Sequence, residues 1–140
     1  MKAVFQGARK SKNRMFGDLI AILPGNDINI SEYADIKIAT GKDIQRNEDV
    51  VDSDAIISIG GGAGTLNEIT IAWTKFKLII SCSEFDGWSK KLANTKLDDR
   101  IRYCDIDEDS IYGFKSIDEA LQLLKKYIHI YKREYHGIKK

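Results

Sequence analysis

The segment SIGGGAGTLNE, residues 58–68, constrains the fold more than any other. Four glycines fall in five positions, between the apolar run DAIISI (residues 54–59) and TLNEITIAWTKF (residues 65–76). In the second run Leu66, Ile69, Ala72 and Trp73 recur at helical spacing, so the order is buried strand, glycine loop, helix. In a doubly wound sheet such a loop sits outside the carboxyl end of a strand, where ligands collect. A loop with almost no side chains lets backbone amides approach an anion, and the helix start adds its own N–H groups and dipole. Gly60, Gly61, Gly62 and Gly64 are therefore candidate phosphate-binding positions, and Thr65 can donate its hydroxyl to the same group. Glycines required only for tight turning and close helix packing would leave the same pattern.

The rest of the chain repeats the alternation. Residues 1–14 carry Val4, Phe5 and Ala8 at near-helical spacing. DLIAIL (residues 18–23) reads as a buried strand ended by Pro24-Gly25, and a short strand is expected over residues 36–39. Residues 41–51 read as a helix, and KLIISC (residues 77–82) as a further strand. A turn at Asp86-Gly87 and a short strand over residues 111–114 follow. Ser116 with Glu119 forms a capping box for a helix over residues 116–130, with Ile117, Ala120, Leu121, Leu124 and Ile128 as its apolar stripe. Short apolar strands alternating with helices predict an α/β, Rossmann-like fold with a mostly parallel sheet and helices on both faces. One domain over residues 1–130 is expected, with a basic tail over residues 131–140.

Bulk properties narrow the function classes. Lys plus Arg number 22 against 21 Asp plus Glu, a formal charge of +1, which provides no global field favouring nucleic acid or a membrane surface. Cys82 and Cys104 are the only cysteines and lie outside any metal-ligand spacing, so reduced thiols and no metal site are expected. The amino terminus lacks a signal-peptide pattern and the apolar runs are too short to span a bilayer, which points to a cytoplasmic protein. No Lys follows the glycines, so the loop is not that of a P-loop hydrolase, and its mid-chain position makes it a poor dinucleotide fingerprint.

Glu68 is the residue that could turn binding into reaction. Three residues after Thr65, it is expected on the first helical turn, where a carboxylate can also simply complement the helix dipole. Arg46 and Asn47, in GKDIQRNEDV, are further candidates, although basic residues on solvated helices are common. Trp73 reads as core. Trp88 could stack on a base, but packing or a subunit contact is the stronger reading.

The combination of ILPG, a TG…RN segment, SDAIISIGGGAGTLNE, and FDGW followed by LDDR resembles the LOG-like ("possible lysine decarboxylase") Rossmann proteins. These include cytokinin-activating phosphoribohydrolases and molybdenum cofactor carrier proteins, and the likeness is strongest to a small, uncharacterised prokaryotic branch. In the hydrolases a loop PGGxGTxxE acts with an upstream Arg on the N-glycosidic bond of a nucleoside 5′-monophosphate. The pattern falls here on Gly60, Gly61, Gly62, Gly64, Thr65 and Glu68, with Arg46 as the upstream Arg. Gly60 replaces the leading Pro, and Arg46-Asn47 replaces an Arg-Lys pair, as in the carrier and uncharacterised branches. Against the family pattern the chain reads as N-terminally shortened, without the first strand and its glycine loop, which would leave a sheet edge to be covered.

The resemblance implies a small phosphorylated ligand, a nucleoside monophosphate or another phosphorylated cofactor, and a homo-oligomer. Binding without established catalysis is the leading expectation, with Arg46, Asn47, the glycines and Thr65 at the ligand. One alternative is a phosphoribohydrolase with Glu68 and Arg46 as its catalytic residues. Another is a structural or assembly module that has lost its ligand site.

Overall fold

The computed structural model describes residues 2–132. It forms two compact units, with the boundary between Asp49 and Val50. The expected tail lies outside the described residues except for Tyr131 and Lys132.

The first unit begins with helix α1 (Lys2–Arg9), of which Phe5 packs against buried Ala21, Leu23 and Ala34. Strand β1 (Ile20–Leu23) pairs in parallel with β2 (Ile36–Ala39), in a register that sets Ile20 beside Ile36 and Leu23 beside Ala39. Ala21 and Leu23 alternate into the core, as a period of two requires. Asp35 fastens the start of this pair. Its carboxylate accepts from the N–H groups of Gly17 and Leu19 and is paired with Arg14. Burial works against its charge, but these bonds and the Arg14 guanidinium outweigh it and hold the carboxyl below the usual range. The helix expected over residues 41–51 is a 3₁₀ turn, Asp43–Gln45, continued by α2 (Arg46–Val51), which runs across the unit boundary.

In the second unit β3 (Ala55–Ser58), β4 (Leu78–Cys82) and β5 (Tyr112–Phe114) form one sheet in that order, all parallel. Between them lie α3 (Ala63–Thr74) and α4 (Trp88–Leu92), and α5 (Ile117–Tyr127) follows. All five residues of β4 are buried, which explains its unbroken apolar character. Its alternate residues feed two cores. Leu78, Ile80 and Cys82 join Tyr103, Tyr112, Phe114, Ala120 and Tyr131 on one side, where α5 packs. Ile79 joins Val51, Ile69, Ala72, Trp73 and Ile111 on the other, where α3 packs. Helices on both faces of a parallel sheet, the Rossmann-like arrangement read from the sequence, are thus present. Among the described residues no helix is long and apolar enough to cross a membrane.

The sequence misplaces three details. The Ser116 hydroxyl does cap α5 by accepting from the Glu119 N–H, but the Glu119 carboxylate accepts from the Lys115 N–H, so the reciprocal half of the box is shifted by one residue. Of the expected stripe, Ile117 and Leu121 are exposed, because Ala120, Leu123, Leu124, Tyr127 and Ile128 face the sheet instead. Tyr131, assigned to the tail, is buried.

Tyr131 belongs to a polar network inside the apolar core. Its hydroxyl donates to Asp109 at 2.6 Å and lies 3.0 Å from that of Tyr112. Asp109 in turn holds the fully buried Arg102 through two bonds, Nε at 2.8 Å and Nη2 at 2.5 Å. The guanidinium lies 3.8 Å over the Trp73 ring, and Nη1 donates to the Lys77 carbonyl at 3.1 Å. Trp73 completes the link by donating its indole N–H to Asp98, which keeps that carboxyl below its usual range.

Burial raises the titration of both Tyr112 and Tyr131 well above the ordinary tyrosine value. An unfolded tyrosine releases its proton near pH 10. Above that pH the unfolded chain therefore holds fewer protons than the folded one, and stability falls as pH rises. The denaturation midpoint should be insensitive to tyrosine ionisation up to about pH 9 and drop above about pH 10. Denaturant titrations across this range would show it; a midpoint unchanged to pH 11 would contradict it.

Candidate functional site

The glycine loop lies where the sequence places it, at the carboxyl end of β3. Gly60 and Gly61 both have left-handed backbones, with φ of 61° and 90°. Gly61 is the position that only glycine can fill: a Cβ there would lie 2.1 Å from the Thr65 Oγ1. The chain can therefore fold back tightly over the first turn of α3, and the Thr65 side chain occupies the space that any larger residue would take.

Helix α3 starts at Ala63, two residues earlier than the apolar spacing indicates, with Gly62 as an extended N-cap. Gly62 has no side chain with which to cap, and no acidic residue lies in the first turn. The first N–H groups of a helix have no partners within it, so this end presents amides and the positive end of the dipole beside an exposed loop. Glu68 is consequently the sixth residue of α3 and lies in its second turn, not the first. Its half-buried side chain is not the N-terminal cap. Thr65 and Glu68 remain on one helical face through their spacing of three.

Gly60, Gly61, Gly62, Gly64, Thr65 and Glu68 are thus brought together on one loop and one helix. Arg46 and Asn47 open α2 in the first unit, where Asn47 is buried and Arg46 half-buried. Burial of Asn47 was not expected, because the charged residues around it read as a solvated helix.

Sequence reasoning missed the segment that holds the loop. After β4 the chain turns through Asp86 and Gly87 into α4, and this turn lies directly against the glycines. Ser89, fully buried, donates both its N–H (3.1 Å) and its hydroxyl (2.7 Å) to the Gly60 carbonyl. The Trp88 N–H donates to the Gly61 carbonyl at 3.0 Å. Beneath them Ser58 and Ser81, paired in register on β3 and β4, share a buried hydroxyl bond of 2.6 Å. The dipeptide Asp86-Gly87 signals the turn, but nothing local shows what the turn touches. Trp88 is half-buried with the Lys91 ammonium 4.7 Å from its ring, and Lys90 pairs with Asp86 across the turn. That hydrogen bond lowers the Asp86 titration and raises that of Lys90, but both groups are exposed and add little stability.

A parallel α/β sheet, a glycine loop at a strand's carboxyl end and a helix without a side-chain cap behind it define a Rossmann-like protein. The chain belongs to the SLOG cluster4 family, whose family model matches residues 1–110. An uncharacterized protein of Archaeoglobus fulgidus is 45% identical over 82 residues, 58% of this chain and 52% of the relative, so the match spans about half of that relative's length. Among solved structures, the molybdenum cofactor binding protein from the phototrophic bacterium Rippkaea orientalis superposes with a TM-score of 0.69 at 28% identity, over 91% of this chain and 71% of that one. The X-ray structure of the structural-genomics target TM1055 gives a TM-score of 0.72 at 26% identity, over 89% of this chain and 71% of its own. These likenesses fit the LOG-like Rossmann family to which the sequence motifs point.

Proposed function

We propose that this protein binds a small phosphorylated ligand, a nucleotide or a phosphorylated cofactor, at the loop of Gly60, Gly61, Gly62, Gly64 and Thr65, and that it does so without obligatory chemistry. The observation that carries this reading is the loop itself: left-handed glycines lead into a helix whose first amides have no side-chain cap. Such an end favours a phosphate over a neutral group. The similarity to a molybdenum cofactor binding protein supports the same ligand class. The Arg46-Asn47 pair and Gly60 resemble the carrier and uncharacterised branches more than the hydrolases, which supports binding without chemistry. Arg46 and Asn47 are assigned to the ligand by that motif, and self-association of the chain belongs to the same proposal. Isothermal titration with AMP and with inorganic phosphate tests the binding, and loss of AMP affinity in Arg46→Ala tests the part assigned to Arg46.

One observation favours a second reading, hydrolysis of a nucleoside 5′-monophosphate. Glu68 is half-buried and shares a face of α3 with Thr65, one turn beyond the anion end. From there its carboxylate could stabilise positive charge developing on a ribose or orient water. Under this reading Glu68→Gln abolishes release of free base from AMP while leaving AMP affinity within about threefold, less than one charge-assisted hydrogen bond is worth. Chromatographic assay of free adenine decides it. No adenine from the unsubstituted protein, or a Glu68→Gln variant that loses AMP affinity instead, would remove the catalytic role.

A further inference from the structure

The carbonyls of Gly60 and Gly61 both point at the start of α4, where Ser89 and Trp88 hold them. No peptide bond among the described residues is cis. In a trans peptide the carbonyl of one residue and the N–H of the next point in opposite directions. The bonds from α4 therefore turn the N–H groups of Gly61 and Gly62 away from it, and neither N–H donates to a partner among the described residues. Both residues are exposed.

The approach that makes this possible depends on Gly87. Its φ is 137°, and a Cβ there would lie 2.6 Å from the Gly61 carbonyl oxygen and 2.8 Å from the Gly61 nitrogen. Any side chain would push the two loops apart and break the bonds that set both peptide planes. A buried Ser is the complementary requirement, because its hydroxyl adds a second donor to the same carbonyl.

From this geometry we infer that Gly87 and Ser89 are positioning residues of the anion site, which act by fixing the outward direction of the Gly61 and Gly62 amides. The inference rests on the reading of the loop as a phosphate site and adds a second loop to it, which holds the first by its carbonyls. Preorganised donors bind an anion without first having to reorient, and that advantage is what the two residues supply.

The test is a titration of the ¹⁵N-labelled full chain with inorganic phosphate and with AMP, followed through the Gly61 and Gly62 amide resonances. In the unsubstituted protein both should move on addition of either probe. Ser89→Ala should displace both resonances before any ligand is added and weaken phosphate binding by about 3- to 10-fold, the worth of one hydrogen bond. Gly87→Ala should weaken it at least as much. Thr95→Val serves as control, since Thr95 donates its hydroxyl to the Leu92 carbonyl at 2.8 Å just beyond the other end of α4. It should leave phosphate affinity unchanged. Equal affinity in Ser89→Ala and the unsubstituted chain overturns the positioning role alone, as does an equal loss in Thr95→Val, which would mark a general loosening. If the unsubstituted protein shows no movement with either probe, the phosphate reading falls and the positioning role falls with it.

Discussion

Asp109→Ala is expected to destabilise the second unit by about 3–5 kcal/mol, the cost of taking a doubly hydrogen-bonded carboxylate away from a buried guanidinium. Arg102 is fully buried, and two of its nitrogens donate to Asp109. The Trp73 ring and the Trp73 and Lys77 carbonyls would remain without the opposite charge, and the Asp98 carboxylate, which feels the Arg102 charge, would offset only part of the loss. Tyr131 would lose the acceptor of its hydroxyl as well. For a chain of this size the change corresponds to roughly 6–20 °C in melting temperature. The pair need not be net stabilising against apolar residues of similar shape. The double variant Arg102→Met with Asp109→Leu should therefore recover much of the loss. Thermal unfolding of the three proteins checks both statements; a loss under about 1 kcal/mol in Asp109→Ala would mean that water or another group replaces the carboxylate.

Gly61→Ala should weaken phosphate or AMP binding by about 10- to 100-fold, a larger loss than Gly64→Ala causes. The contrast follows from the backbone. At Gly61 the φ of 90° is strained for any other residue, and an added Cβ would collide with Thr65. The loop must then rotate its amides out of line. At Gly64, inside α3, an added Cβ meets nothing within 4 Å, and the amide itself is retained. Replacing glycine by alanine in a helix stabilises it by roughly 0.5–1 kcal/mol, so Gly64→Ala should raise the melting temperature slightly. Calorimetric titration of both variants separates them, and equal affinities would show that the loop conformation is not what selects the ligand.

Much of the second unit is legible in the sequence because its strands are short, β-branched runs ended by glycine or a turn. DAIISI and KLIISC name β3 and β4 within a residue, and the all-apolar character of the latter announces a strand covered on both faces. The start of α3 is less legible. The apolar spacing begins only at Leu66, while Ala63 and Gly64, both exposed, are already helical. For α5, periodicity locates an apolar stripe but not which edge of it meets the sheet, and so Ile117 and Leu121 are misassigned. Arg102 and Asp109 sit in an irregular acidic stretch that looks solvated. Their pairing across seven residues exists only because the chain between Leu97 and Ile111 folds back beside Trp73 and Lys77. Gly87 and Ser89 escape notice for the same reason: a DG turn is visible, but its contact with Gly60 and Gly61 is tertiary.

Native mass spectrometry of the 140-residue chain tests most directly whether the glycine loop holds a phosphorylated ligand. The protein would be sprayed as purified and again after addition of AMP, with Gly61→Ala alongside. A nucleotide-sized mass increment on the unsubstituted protein, absent from the variant, is the predicted result. A chain that stays bare at millimolar AMP, or a Gly61→Ala variant that carries the same increment, would contradict the account.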